Sequence, residues 1–222
     1  MKNLLILAGL FCALLALSAC LRSGVRTGEQ QENTGNAQAR LADLCDPGRD
    51  AMRSPARAAA SCRKAAEQGN AAAQNSLGTI YRDGEGVAPD DEEAVRWYRR
   101  AADQGYGEAF SNLAYMYENG LGVDRDKQKA IELCLLGAEK KDPASMIDLG
   151  VSYWKGEGVK KSLVKAIMWL ELAGTYTQGS SNKQLKWRIR ATKEEMTLEA
   201  KREEIDRAGW LAQEWEEAHA PK

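Results

Sequence analysis

The chain has 222 residues, 44% hydrophobic and 28% charged, a composition that excludes a disordered, collagen-like or polytopic membrane protein. Lysine plus arginine (31) nearly balances aspartate plus glutamate (32), so there is no general electrostatic footprint for nucleic acid, which is not expected as a partner. The single histidine, His219, lies in a polar tail beside Pro221, which removes most histidine-based catalysis and metal binding.

Residues 1–19 read as an export signal: Lys2 supplies a positive start, and Leu4 to Leu17 is an almost unbroken apolar run, short for a spanning helix. The run ends in Leu17-Ser18-Ala19-Cys20, which resembles the bacterial lipoprotein box, whose cysteine is lipidated. That resemblance implies a lipid anchor on Cys20. With Leu21 where an inner-membrane retention signal would place Asp, it also implies the periplasmic face of the outer membrane. Residues 20–35 are expected to be the lipidated cysteine and a flexible tether, since 21–35 hold two aliphatic residues and no aromatic.

From there the chain repeats with a period of 36. Gly84, Gly120 and Gly156 share one register, as do Gly86, Gly122 and Gly158, and Leu77, Leu113 and Leu149. So do Tyr81, Tyr117 and Tyr153, and Ala94, Ala130 and Ala166. A weaker copy precedes them, with Leu41, Gly48 and Ala58 in register. The units fall at about 33–68, 69–104, 105–140 and 141–176, the first degenerate as terminal repeats usually are.

Each unit reads as two helices. Ala73, Leu77, Ile80 and Tyr81 lie on one helical face, and Asp83-Gly84-Glu85-Gly86 ends that helix. Asp90 is the expected N-cap of the next helix, with Glu93 as capping-box partner. Asp126, Ser162 and Ser54 are its equivalents, and Pro55 follows Ser54 at the favoured first position. Gly69 and Gly105 end second helices, where the third unit has Lys141.

The pattern from Leu77 to Gly105 (L-G-x-x-Y, G-x-G-V, D-x-x-x-A-x-x-W-Y, A-A-x-Q-G) resembles the Sel-one-like repeat (SLR), a relative of the tetratricopeptide repeat. The resemblance covers 36–176 and implies an all-α protein, an α/α right-handed superhelical solenoid of helix–turn–helix repeats. It implies a protein-interaction role, here a periplasmic scaffold for an unknown protein partner, with no catalytic, metal or cofactor residues to carry over. An immunity protein that neutralises a secreted toxin is one alternative. An enzyme acting on β-lactams or peptidoglycan is another, and a monomer is expected. The S-x-x-K segments at Ser61, Ser162 and Ser180 lack the companion motifs of penicillin-recognising enzymes.

After Gly174 the period is lost, and 177–222 is expected to cap the array. Leu185, Ile189 and Met196 predict one helix, and Ile205, Ala208, Ala212 and Trp215 a last one capped by Thr197. Lys183, Lys186, Arg188, Arg190 and Lys193 around Trp187 read first as a solvated helix face. Cys45 and Cys62 fall on facing helices of the first unit, where a disulfide is geometrically reasonable; two buried thiols are the alternative. Cys134 reads as a small core residue.

The first-helix face opposite the core carries Asn75, Thr79 and Arg82, then Ser111, Tyr115 and Glu118, then Ile147, Val151 and Trp154. By resemblance to tetratricopeptide solenoids this face lines the groove. Arg82, Tyr115, Glu118, Ile147, Val151 and Trp154 are therefore the expected partner-binding residues. Ile147, Val151 and Trp154 could form an open apolar floor. The expectation here is partial cover by the segment after 182.

Overall fold

A computed structural model describes residues 54–178 and 181–220, all of which belong to one compact unit, Leu41–Lys222. The described residues form nine helices and no strand: α1 (Pro55–Glu67), α2 (Ala71–Asp83), α3 (Asp91–Asp103), α4 (Gly107–Asn119), α5 (Lys127–Glu139), α6 (Pro143–Lys155), α7 (Leu163–Tyr176), α8 (Lys183–Glu199) and α9 (Arg202–Ala218). Consecutive helices from α1 to α8 pack on one another, and α4 also packs on α6, so first helices of neighbouring units meet. This is an all-α helical repeat solenoid. Its core is the register read from the sequence: Leu77, Leu113 and Leu149 and Ala94, Ala130 and Ala166 are all buried. Burial of each leucine contributes about 1.5–3 kcal/mol.

The cap residues behave largely as their chemistry dictates. Asp90 accepts from the Glu93 backbone N–H at 2.9 Å, Asp126 from Lys129 at 2.9 Å and Ser162 from Lys165 at 3.4 Å. Ser54 sits at the N-cap ahead of Pro55, but its side chain makes no cap bond. The expected Asp90–Glu93 capping box does not close, because both of its members are engaged elsewhere. The Asp90 N–H donates to the Tyr81 carbonyl at 2.8 Å, and Glu93 pairs with Arg96 at 2.6 Å. The same backbone clamp recurs from Asp126 to Tyr117 (2.9 Å) and from Ser162 to Tyr153 (2.8 Å), holding the interhelix loop in every complete unit.

The second glycine of each loop is required by the neighbouring unit. Gly122 has φ 63, and a Cβ there would lie 2.4 Å from the carbonyl carbon and oxygen of Asp91, at the start of α3. Gly86 meets Pro55 at the start of α1 in the same register. Lys141 adopts the left-handed conformation (φ 61) that Gly69 and Gly105 adopt at the equivalent turns.

Beyond the repeats, α8 packs on α6 and α7, and α9 packs on α7. Ile189, Met196, Ala208 and Ala212 are buried, as their spacing predicts. Thr197 does not cap the last helix. It stays inside α8, its hydroxyl donating to the Glu194 carbonyl, and the break comes later, where the Lys201 N–H donates to the Glu204 carboxylate at 2.9 Å. Trp215 seats α9 by edge contacts with Trp169 (5.8 Å) and Tyr176 (6.4 Å). His219 stacks on Trp215 at the chain's end.

Candidate functional site

The first residue of the expected partner-binding face on each first helix lies inside the solenoid, while the later ones reach the surface at least in part. Asn75, Ser111 and Ile147 are buried, not free. Ile147 is 0% exposed and is withdrawn from the partner-binding set: it is core. The reason is packing between units: the first helices of neighbouring units meet along this row. Asn112 on α4 donates to the Asn75 side chain on α2 at 2.8 Å, showing that this row faces the next unit's first helix. Solvent reaches the following rows instead: Ser76, Asn112 and Asp148, then Thr79, Tyr115 and Val151.

Tyr115 projects from the middle of this face and is 48% exposed. The Arg82 guanidinium lies 5.9 Å from its ring centre and is paired with Asp83 at 2.8 Å, a bond that raises the Arg82 pKa further. Glu118 is half-buried one turn along α4. At the C-terminal end of the face, α8 provides the expected cover. Trp154 donates from Nε1 to Glu199 at 3.2 Å, and Arg188 reaches Asp148 at 2.6 Å. Val151 and Trp154 are therefore half-buried rather than an open floor. Arg188, Arg190 and Lys193 are all paired with carboxylates, while Trp187 is 70% exposed.

A cavity opens between α4 and α6 with α5 beneath it, lined by Tyr115, Glu118, Lys127, Cys134, Asp148 and Ser152 among others. Side-chain volume explains it. In the second unit the equivalent space is filled by Tyr98, fully buried, with its hydroxyl 3.0 Å from that of Thr79. Gly78 makes that possible, since a Cβ there would meet the Tyr98 ring at 2.7 Å. One unit later the pair is Ala114 and Cys134, and the ring is missing. Across the cavity, Ser152 stands in the register of buried Ile80 and Met116. Two large-to-small replacements thus converge on one place. Burial pushes the Cys134 thiol pKa well up, and Asp148 and Glu118 push in the same direction. Burial likewise pushes Asp148 up to about 6, against the pull of Arg188.

Asp148, Ser152 and the small size of Cys134 were not singled out from the sequence as site features. The signal was available in the comparison of volumes, rather than identities, along each repeat register. Of the remaining expected sites, Cys62 is fully buried and disulfide-bonded, and Cys20 and Cys45 lie outside the described residues. Among the S-x-x-K serines, Ser162 caps α7, Ser61 sits in α1 and Ser180 lies outside the described residues.

A Sel1 repeat family model matches residues 35–70, 71–106, 108–142 and 143–175, more than half of the chain. The chain belongs to the Sel1 repeat family. Among solved structures, a Sel1 repeat protein from Oxalobacter formigenes superposes with a TM-score of 0.56 at 28% identity, covering 79% of this chain and 75% of that one. A protective antigen present in uropathogenic Escherichia coli strains, with an SLR fold, gives 0.53 at 26% identity. That match covers 87% of this chain but 48% of the antigen. An immunity protein from Pseudomonas aeruginosa gives only 0.38 at 16% identity over 79% and 84% of the two chains, too loose to bear on function. A search of curated proteins finds no match. The Sel1 repeat fold is a protein-interaction scaffold and implies protein partners. No helix among the described residues is long and apolar enough to cross a membrane.

Proposed function

We propose that this Sel1 repeat protein is an adaptor of the bacterial cell envelope, lipidated at Cys20 and exposed to the periplasm, that holds a protein partner along its first-helix face. The observation that carries the binding reading is Tyr115, a large aromatic side chain left 48% exposed in the middle of that face. The Arg82 guanidinium over its ring holds it in place. The anchor reading rests on the complete Leu17-Ser18-Ala19-Cys20 box after an apolar run. The pairing of Cys62 with Cys45 belongs to the same reading, because a disulfide suits an exported protein.

A photo-crosslinking side chain placed at Tyr115 in cells should capture a discrete partner. The same side chain at Glu132, on the exposed side of α5, should not. Tyr115→Ala should weaken binding of that partner by about 1–2 kcal/mol and leave the unfolding midpoint unchanged. Equal capture from both positions, or unfolding of the Tyr115→Ala variant, would place the binding surface elsewhere. Replacement of Cys20 by Ala should abolish incorporation of labelled fatty acid.

A further inference from the structure

We propose that the cavity between α4 and α6 receives a lysine ammonium group from the docked protein partner; this deepens the groove reading above and rests on it. The space free of protein atoms is about 330 Å³, including open solvent, and it has room for about one group of the size of a water molecule. An ammonium is of that size, and a planar guanidinium is larger.

The charges lining the cavity call for a cation. Glu118, Asp148 and Glu157 supply three carboxylates, and Lys127 the one positive side chain in the lining. Lys127 is committed to Glu157 at 3.3 Å, and Arg188 reaches Asp148 from α8 at 2.6 Å. That leaves one negative charge in excess, with Glu118 in no ion pair among the described residues. Burial is the main cause of the high Asp148 pKa, with Glu118 adding a smaller push in the same direction.

A second observation is independent of the carboxylates. The Cys134 thiol, 4% exposed and free, lies in the wall of the cavity with no hydrogen-bond partner among the described residues. The Tyr98 phenol that fills the equivalent space one unit earlier does have such a partner, Thr79. Ser152 adds a hydroxyl that can accept from an ammonium, where the other units bury Ile80 and Met116. Tyr115 stands at the rim, where its ring can face the aliphatic stem or the charge of an entering lysine.

The test uses Nα-acetyl-lysine methylamide as the probe, titrated into the full-length chain while the NMR signals of Tyr115, Cys134 and Ser152 are followed. Saturable shifts at all three are expected. They should be at least about fivefold weaker for the Nε-acetylated probe, which lacks the charge, and for the arginine analogue, which is too large. Ser152→Met refills the space with a side chain the neighbouring unit already buries at this register. It should abolish saturation while keeping the thermal midpoint. Glu118→Gln, an exchange of near-equal volume, should weaken the probe at least about threefold.

Shifts that never saturate, or that are equal for the Nε-acetylated probe, overturn the proposal and leave a cavity that holds only water. So does unchanged probe binding in Ser152→Met. The groove reading fails separately, if photo-crosslinking captures no partner from position 115 or captures it equally from position 132. Capture from position 115 that is equal with and without Ser152→Met overturns the cavity proposal alone, because the partner then docks on the face without placing a lysine in the cavity.

Discussion

The α2–α4 junction and the α4–α6 junction are made from the same repeat positions, yet one is filled and the other is open. At the first, Tyr98 lies under Gly78 and shares a hydrogen bond with Thr79. At the second, Ala114 and Cys134 take those two places, and Ser152 replaces a long apolar side chain opposite. The fourth unit shows a third solution, with Leu170 buried under Gly150, whose Cβ would come within 3.1 Å of it. The backbone period is kept by the loop glycines and the tyrosine-carbonyl clamps in all three units. What varies is how two registers share one volume. A repeat array can therefore carry a site at one junction without disturbing its neighbours, because each unit touches only the next.

The comparison can be broken most directly by giving the first junction the residue of the second. Tyr98→Cys should cost about 3 kcal/mol in urea unfolding, since it removes a fully buried ring and its hydrogen bond with Thr79. A cost under about 1 kcal/mol would mean that Tyr98 does not hold that junction together.

A smaller effect sharpens the electrostatic half of the contrast. The Asp148 pKa is raised from 3.8 to about 6, so between these values the folded state keeps a proton that the unfolded state releases. Stability from this group therefore falls as pH rises through that window. Asp148→Asn should be more stable than the parent by about 1 kcal/mol at pH 7, after allowance for the solvent contact of the side chain. The gain should vanish below about pH 4. Thermal melts of both proteins across that range check the sign, and a loss at neutral pH would show that the Arg188 bridge outweighs burial.

The smallest effect concerns the turns between units. Lys141 occupies a left-handed conformation in which Gly69 and Gly105 are unstrained. Lys141→Gly should stabilise by about 0.5–1 kcal/mol, with Gly105→Ala moving the other way, both measured as shifts in the unfolding midpoint.

Much of the architecture was legible because it is periodic. The helices, their caps at Asp90, Asp126 and Ser162, and the buried Leu and Ala registers follow from local rules applied at a fixed spacing. The cover of Trp154 by α8 was also legible, since a solenoid must close its exposed end. The burial of Ile147 was not, because it depends on the neighbouring first helix rather than on its own unit. The break between α8 and α9 was misplaced at Thr197 because that hydroxyl satisfies itself on the Glu194 carbonyl inside the helix.

The amino-acid sequence by itself determined the repeat, its family and the helical nature of every unit, because hydrophobic period and capping chemistry act over a few residues. Only the tertiary structure decided which residues of the first-helix face are surface and which are seam, and that Cys134 and Ser152 empty the same volume. The physical reason is that a cavity is a property of side chains from three helices meeting in space. Cys134 stands eighteen residues before Ser152, on a different helix and in a different unit, and each alone reads as an ordinary small residue.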